Sequence, residues 1–484
     1  MIASIHKNNL LFYFLAVLFI VLAGVSVFTE EYLLIAIPFA ILIFYAGWQH
    51  RNLVFLLLLL TLTFSFEYQF TSSLGTDIPD EGLMLFVTGL FVTYCIYSPK
   101  AINSNMLQHP LFLLLFIGLG WTIVAVLFST HLLVSLKFLL AKSWYVGAFV
   151  LAPLIIFNEK KIIKTAAITI AGSMLIVATI ALVRHYEYGF RFANINDAVY
   201  PFFRNHVNYS AMLVCITPIL FAFYKSAEKR KERLLIGSAI IIVLAALAFS
   251  YGRGAWLALL VGGLAYWLIK KRLLFFAFIT AIIVLLASVF WLKNNDRYLR
   301  YSNDFKTTIF HKDFAEHIVA TYKLKDVSTA ERFYRWIAGV RMIKDNWLTG
   351  YGPNTVYDNY KGYAIPAFKT WVSDNKDHST VHNYFLLIAI EQGIPGLLFF
   401  ILLLGGMLYY AQYLYQRIKD VFYKTTAITI GVIVSMIIVV NFLSDLIETD
   451  KIGSLFFLCI ATLVITDLNT RKASYSSPDV KRIS

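Results

Sequence analysis

The residues of this chain best equipped for chemistry are one histidine and a set of arginines, all standing beside apolar runs. Arg253 lies in Ser250-Tyr251-Gly252-Arg253-Gly254-Ala255-Trp256, a tight turn between two such runs. That turn is too short for a charge that merely solvates a long loop. Arg204 begins Arg204-Asn205-His206-Val207-Asn208 at the start of another run, and Arg332 and Arg335 share a helical stretch. Arg191 and Lys142 are weaker members of the same set. A guanidinium fork matches pairs of phosphate oxygens; the alternative is snorkelling of long cationic side chains at a membrane interface. His382 stands in His378-Ser379-Thr380-Val381-His382-Asn383-Tyr384 and is either a general base near neutral pH or a structural imidazole. The H-x-x-x-H spacing also suits two zinc ligands on one helical face. The residues between them are Ser, Thr and Val, without the glutamate of a metalloprotease motif, and only Asp374 and Asp377 stand nearby. No metal is expected.

The elements that hold these groups follow from composition. Of 484 residues, 59% are hydrophobic and 14% charged, against about 25% charged in a soluble domain. This excludes an ordinary soluble enzyme and a disordered chain. The apolar runs have the length of spanning helices, about 20 residues, rather than that of alternating barrel strands. The fold class is all-α and polytopic, with about 12–14 transmembrane helices. The net charge of +14 is read as lysine- and arginine-rich cytoplasmic loops, with no nucleic acid as partner. Cys95, Cys215 and Cys459 lie far apart in apolar segments and read as packing.

The runs fall near 10–28, 32–48, 52–67, 82–98, 111–129, 138–157, 164–183, 206–224, 234–250, 254–269, 273–291, 395–414, 425–443 and 453–468. The first follows Lys7 and reads as a retained span rather than a cleaved signal. Basic loops, such as Lys160-Lys161-Lys164 and Lys270-Lys271-Arg272, alternate with acidic or mixed ones, such as Glu30-Glu31 and Ser444 to Lys451. By the positive-inside rule both termini are cytoplasmic. Four regions result: an N-terminal bundle over 1–291 with about 11 spans, a large periplasmic loop with amphipathic helices over 292–394, C-terminal spans over 395–470, and a polar cytoplasmic tail over 471–484. In the loop, Ser328-Thr329-Ala330-Glu331 has the form of a capping box. Phe333, Trp336, Ile337, Val340, Ile343 and Trp347 follow at helical spacing, and Gly350-Tyr351-Gly352-Pro353 ends the helix. Glu391-Gln392-Gly393-Ile394-Pro395-Gly396 interrupts the next run, so a short helix from His382 precedes a span starting near Pro395.

Taken together, Ser328-x-x-Glu331-Arg332 with Trp336, the run Asn346-Trp347-Leu348-Thr349-Gly350-Tyr351-Gly352-Pro353-Asn354, His382-Asn383-Tyr384, and Glu391 to Gly396 resemble the O-antigen ligase and polymerase superfamily. Arg253 with Gly254-Ala255-Trp256 is similar to that family's arginine turn. The motifs cover roughly residues 200–445. The resemblance implies an integral-membrane glycosyltransferase of the bacterial inner membrane, acting on the periplasmic face, metal-independent and inverting, with no cofactor. It implies a donor glycan on undecaprenyl pyrophosphate and, for a ligase, a sugar hydroxyl of lipid A–core as acceptor. Under it, Arg253, Arg204 and Arg332 bind the pyrophosphate, Arg335 and Arg191 support substrate binding, and His382 takes the acceptor proton. Asn383 and Glu331 orient these groups, although Glu331 is equally explained as a capping-box partner.

An O-antigen ligase is the leading reading. An O-antigen polymerase uses the same donor with a lipid-linked repeat as acceptor, and a protein O-glycosylating ligase is the next rival. A polyprenyl-glycan transporter is the reading from another class. It would place ionisable groups near the bilayer midplane, whereas here they gather at the outer face.

Overall fold

A computed structural model describes residues 2–29, 36–71, 74–294, 327–364 and 380–475. Long apolar helices make up nearly all of it, as expected where no water can satisfy backbone N–H and C=O groups. In chain order these are α1 (Ile2–Thr29), α2 (Ala36–Gln49), α3 (Arg51–Thr61), α4 (Asp80–Tyr97), α5 (Pro110–Leu127), α6 (Leu132–Ile156), α7 (Lys160–Glu187), α8 (His206–Ser226), α9 (Arg230–Phe249), α10 (Arg253–Lys270) and α11 (Leu274–Lys293). After a gap come α12 (Val327–Asp345), the short α13 (Val356–Tyr360), α14 (Tyr384–Arg417), α15 (Val421–Phe442) and α16 (Asp450–Tyr475). The protein is an all-α, multi-pass membrane protein.

Among the described residues, ten helices are long and apolar enough to cross a membrane, or eleven if the bent pair α2–α3 is one span. Three features lower the expected number. α1 contributes only a short apolar stretch, Ala16–Ser26, below spanning length. The runs near 32–48 and 52–67 do not form two straight spans: α2 and α3 meet at 100° and have 14 and 11 residues. At 1.5 Å per residue each is about 21 Å long or less, short of a hydrocarbon core of about 30 Å. In addition, Arg253 and Lys270 at its two ends leave α10 outside the apolar set, although it packs along α15. Where the third run was expected to reach residue 67, α3 stops at Thr61 and a hairpin follows, β1 (Phe66–Thr71) paired antiparallel with β2 (Leu74–Ile78). Residues 295–326 and 365–379 of the expected large loop lie outside the described residues, and with them His378, Asp374 and Asp377; so does the tail beyond residue 475.

The bundle is centred on its last two helices. α16 is almost wholly enclosed, and α15 lies against α10, α14, α8 and α16. α11, by contrast, is nearly all exposed and presents Phe276, Ile283, Leu286 and Phe290 outward. α6 contains a π-helical stretch, Gly147–Leu151. Beside it, the carbonyl of Trp144 also accepts a hydrogen bond from Thr88 Oγ1 at 3.0 Å.

The two ends of the bundle differ. At the lysine-rich end, the buried carboxylate of Asp467 on α16 meets Arg417 and Arg471 at 2.7 Å and His109 at 3.4 Å. This ties α16 to the start of α5 and the end of α14. The opposite end, about 33 Å away along the 22 residues of α15, carries His382.

Candidate active site

The site rests on a break in α14. At Gly393 the backbone leaves the helix with φ +71°, and Pro395 follows without an N–H to donate. The carbonyls of Ile390, Glu391 and Gln392 thereby lose their helical partners. The first two accept the N–H groups of Tyr351 and Gly352, both at 2.9 Å, and the third accepts the Trp121 indole at 2.8 Å. In return, Ile394 donates its N–H to Trp347 O at 2.8 Å. The fit leaves no room for side chains: a Cβ at Gly393 would lie 2.0 Å from Leu348 O, and one at Gly350 2.4 Å from the Glu391 carbonyl carbon. The two glycine motifs are thus one backbone-to-backbone joint. The buried carboxylate of Glu391 lies against the N–H groups of Asn354 and Val356, at the start of α13.

This joint holds α12 across the start of α14. The backbone is already helical at Val327, so Ser328 lies inside the helix rather than capping it. Glu331 turns its carboxylate to Arg335, at 3.1 Å. Arg335 is almost fully buried; burial pulls its guanidinium below the usual arginine range, and Glu331 opposes that. Its other arm donates to Thr380 O at 3.1 Å, and Trp336 Nε1 donates to Val381 O at 3.1 Å. Arg335 and Trp336 therefore clasp the strand leading into His382.

His382 sits in a left-handed turn, φ +50°, a conformation that costs a non-glycine residue about 1–2 kcal/mol. Four contacts impose it: the two from α12, the N–H of His382 to Thr380 Oγ1 at 3.3 Å, and the N–H of Tyr384 to Ser444 O at 3.0 Å. Asn383 caps α14, its side chain accepting from Leu386 N at 3.1 Å. The imidazole Nδ1 lies 3.6 Å from Asp445 Oδ1, within ion-pair range but longer than a hydrogen bond. Thr380 donates its hydroxyl to the other oxygen of Asp445. The ring is 38% exposed and the carboxylate 18%, so a substrate can reach the ring while Asp445 stays behind it. Burial alone would raise the Asp445 carboxyl, but His382 and Thr380 hold it below the usual carboxylate range. Asp445 opens a short turn, Leu446–Glu448, whose second carboxylate accepts from Tyr384 OH at 2.6 Å and pairs with Lys142 at 3.0 Å.

The arginine turn arrives at the same end. Tyr251, at φ +57°, directs its hydroxyl to Phe190 O at 2.5 Å, and Trp256 Nε1 donates to Leu247 O at 2.8 Å. A Cβ on Gly252 would meet Ser210 Oγ at 2.2 Å, so glycine is needed there. A Cβ on Gly254 would lie 3.4 Å from Leu443, two residues before Asp445. Half-buried Arg253 thus stands at the N-terminus of α10, where helix end and guanidinium both favour an anion. Arg332 is one turn before Trp336, whose ring meets Phe442 edge-on at 5.8 Å. Arg191 adjoins Phe192, which packs on Tyr251 at 5.4 Å.

Arg204 is exposed and pairs with Glu67 of β1 at 2.5 Å. Both line a polar cleft of about 230 Å³ with Asp77, Glu81, Glu448 and Asp450. Glu448 is shared between this cleft and the His382 segment. Sequence reasoning did not single out Asp445 or Glu448. The available signal was two carboxylates directly after a long apolar span, at its outer end.

Residues 238–401 match the family model described as O-antigen ligase. That segment is similar to an O-antigen ligase domain. No curated protein matches the chain. The matched segment holds Arg253, Glu331, Arg332, Arg335, His382 and Asn383, and it includes both halves of the glycine joint. Arg191, Arg204 and Asp445 lie outside it. They come from the segment between α7 and α8 before it and from the turn after α15 behind it.

Proposed function

We propose that this protein transfers a glycan from undecaprenyl pyrophosphate to a sugar hydroxyl of lipid A–core, at the periplasmic face of the bacterial inner membrane. The observation that carries the reading is the pairing of His382 with Asp445 at the bundle end that also bears the arginine turn. With Nδ1 directed at Asp445, Nε2 is the ring nitrogen left to accept a proton. The acceptor oxygen attacks the anomeric carbon and its proton passes to Nε2. The new glycosidic bond forms as the anomeric carbon–phosphate oxygen bond breaks, from the opposite face, with inversion. Undecaprenyl pyrophosphate leaves with the bonding electrons. Arg253 and Arg332 bind its growing charge, as preorganised guanidinium groups do without the delay of solvent rearrangement. Arg204 and Arg191 lie at the edge of this field and guide the pyrophosphate or the acceptor. Arg335, Glu331 and Asn383 act on the donor only through the position of the His382 turn. No metal ion enters the scheme.

The test is a deletion strain complemented with wild type, His382→Ala or Arg253→Ala, read by lipopolysaccharide gel and lipid-linked pool together. Wild type should restore long glycan on core. Either variant should leave bare core and glycan retained on undecaprenyl pyrophosphate, with general-base loss worth about 10²–10⁴-fold. Core bearing a single repeat in the deletion strain would mean polymerisation instead, and normal ligation in both variants would refute the mechanism.

A further inference from the structure

A second feature lies far from His382, at the lysine-rich end. α7, α8, α15 and α16 enclose an apolar groove of about 190 Å³. Its walls are made wide by Ala166, Ala167 and Ala222. Three of its hydroxyl groups turn back to their own helices: Ser226 donates to Ala222 O at 2.9 Å, Thr426 to Phe422 O at 2.9 Å, and Thr462 to Leu458 O at 2.7 Å. The surface offered to an occupant is therefore mainly methyl and methylene. The side formed by Ala167, Ala222 and Phe223 is half-exposed, so the groove opens sideways, toward the lipid around the bundle. From Phe422 to Ile433 it follows α15 for about 17 Å, close to the depth of one leaflet of a hydrocarbon core of about 30 Å. Exposed Lys164 stands on its lining at the polar end, and Lys161 lies one turn before it. Neither is part of an ion pair among the described residues.

We propose that this groove holds one acyl chain of an anionic glycerophospholipid from the leaflet at the lysine-rich end, with its phosphate at Lys164. Length, apolar walls, lateral opening and a cation at the mouth agree on that occupant. Basic pockets between spanning helices bind anionic headgroups for the same reason. The lipid closes the gap between α7–α8 and α15–α16, so it acts as a packing element of the bundle rather than as a substrate.

The experiment uses the full chain, purified in mild detergent and examined by native mass spectrometry, then titrated with phosphatidylglycerol and phosphatidylcholine. Wild type should carry one phosphatidylglycerol per chain, preferred over phosphatidylcholine. Lys164→Gln should weaken phosphatidylglycerol about fivefold, the worth of one cation near a headgroup, and leave phosphatidylcholine unchanged. Ala167→Phe and Ala222→Phe fill the groove from two different helices, and each should abolish retention. Leu285→Phe, on the lipid-facing side of α11, should retain lipid as wild type does. Thermal unfolding of each variant confirms that it is folded; if one filling variant fails to fold, the other decides. Equal retention in a folded filling variant and wild type overturns the proposal. So does a polyprenyl phosphate in place of the phospholipid, or the absence of any bound lipid.

Discussion

At the scale of single residues, the distinctive group is Asp445, because its role is carried through His382. Asp445→Asn keeps shape and removes charge, so the imidazole loses its orienting partner. Transfer should fall about a hundredfold or more, measured as turnover in proteoliposomes with lipid-linked donor. The same substitution has a pH signature. A carboxyl held below its ordinary value stabilises the fold above that value, and the contribution is lost as pH falls through the folded value. Wild type should therefore resist thermal inactivation better than Asp445→Asn at neutral pH. The difference should close below the ordinary carboxylate value of about 3.9. A difference that persists there would mean that Asp445 contributes through shape alone. His382 and Arg253 were visible in the sequence because their types are rare beside apolar runs. Asp445 was passed over although it follows directly on an apolar span, because nothing local ties it to His382, and the link joins segments 63 residues apart.

At the scale of elements, the joint between Gly350 and Gly393 decides whether α12 can reach His382. Gly393→Ala forces a Cβ to within 2.0 Å of a carbonyl oxygen at φ +71°. Overlap and backbone conformation together should cost about 3 kcal/mol or more. The midpoint of thermal unfolding should drop by several degrees, and transfer should fall with it. A variant that unfolds like wild type would show that the joint yields, and that the His382 turn does not depend on it. The glycines, Pro395 and the break were legible as motifs, but their mutual contact was not, because backbone-to-backbone fits have no compositional signal. The bend between α2 and α3 was hidden for a related reason: two short apolar helices and two short spans read alike. Ser328 shows the opposite error. A pattern suited to a cap was present, and the helix begins before it while Glu331 pairs with Arg335.

At the scale of the whole molecule, the charge asymmetry of the two ends makes sidedness testable. Asn354 and Lys231 are both exposed, near the His382 end and the lysine-rich end respectively. Asn354→Cys should react with an impermeant maleimide on intact inner-membrane vesicles only from the periplasmic side, and Lys231→Cys only from the cytoplasmic side. Labelling of both from one side would overturn the assigned orientation. A different consequence follows from the burial of α16. The innermost helix is also the last of these helices in chain order, so insertion delivers the centre of the bundle after everything that surrounds it. Until it arrives, His109 and Arg417 wait at the lysine-rich end without Asp467, and the earlier helices enclose a space that only lipid can fill. Assembly of this protein is therefore a process of late closure. A chain ending at Thr449 should insert but be degraded rapidly in cells, whereas α16 supplied as a separate segment should restore its lifetime, followed by pulse-chase.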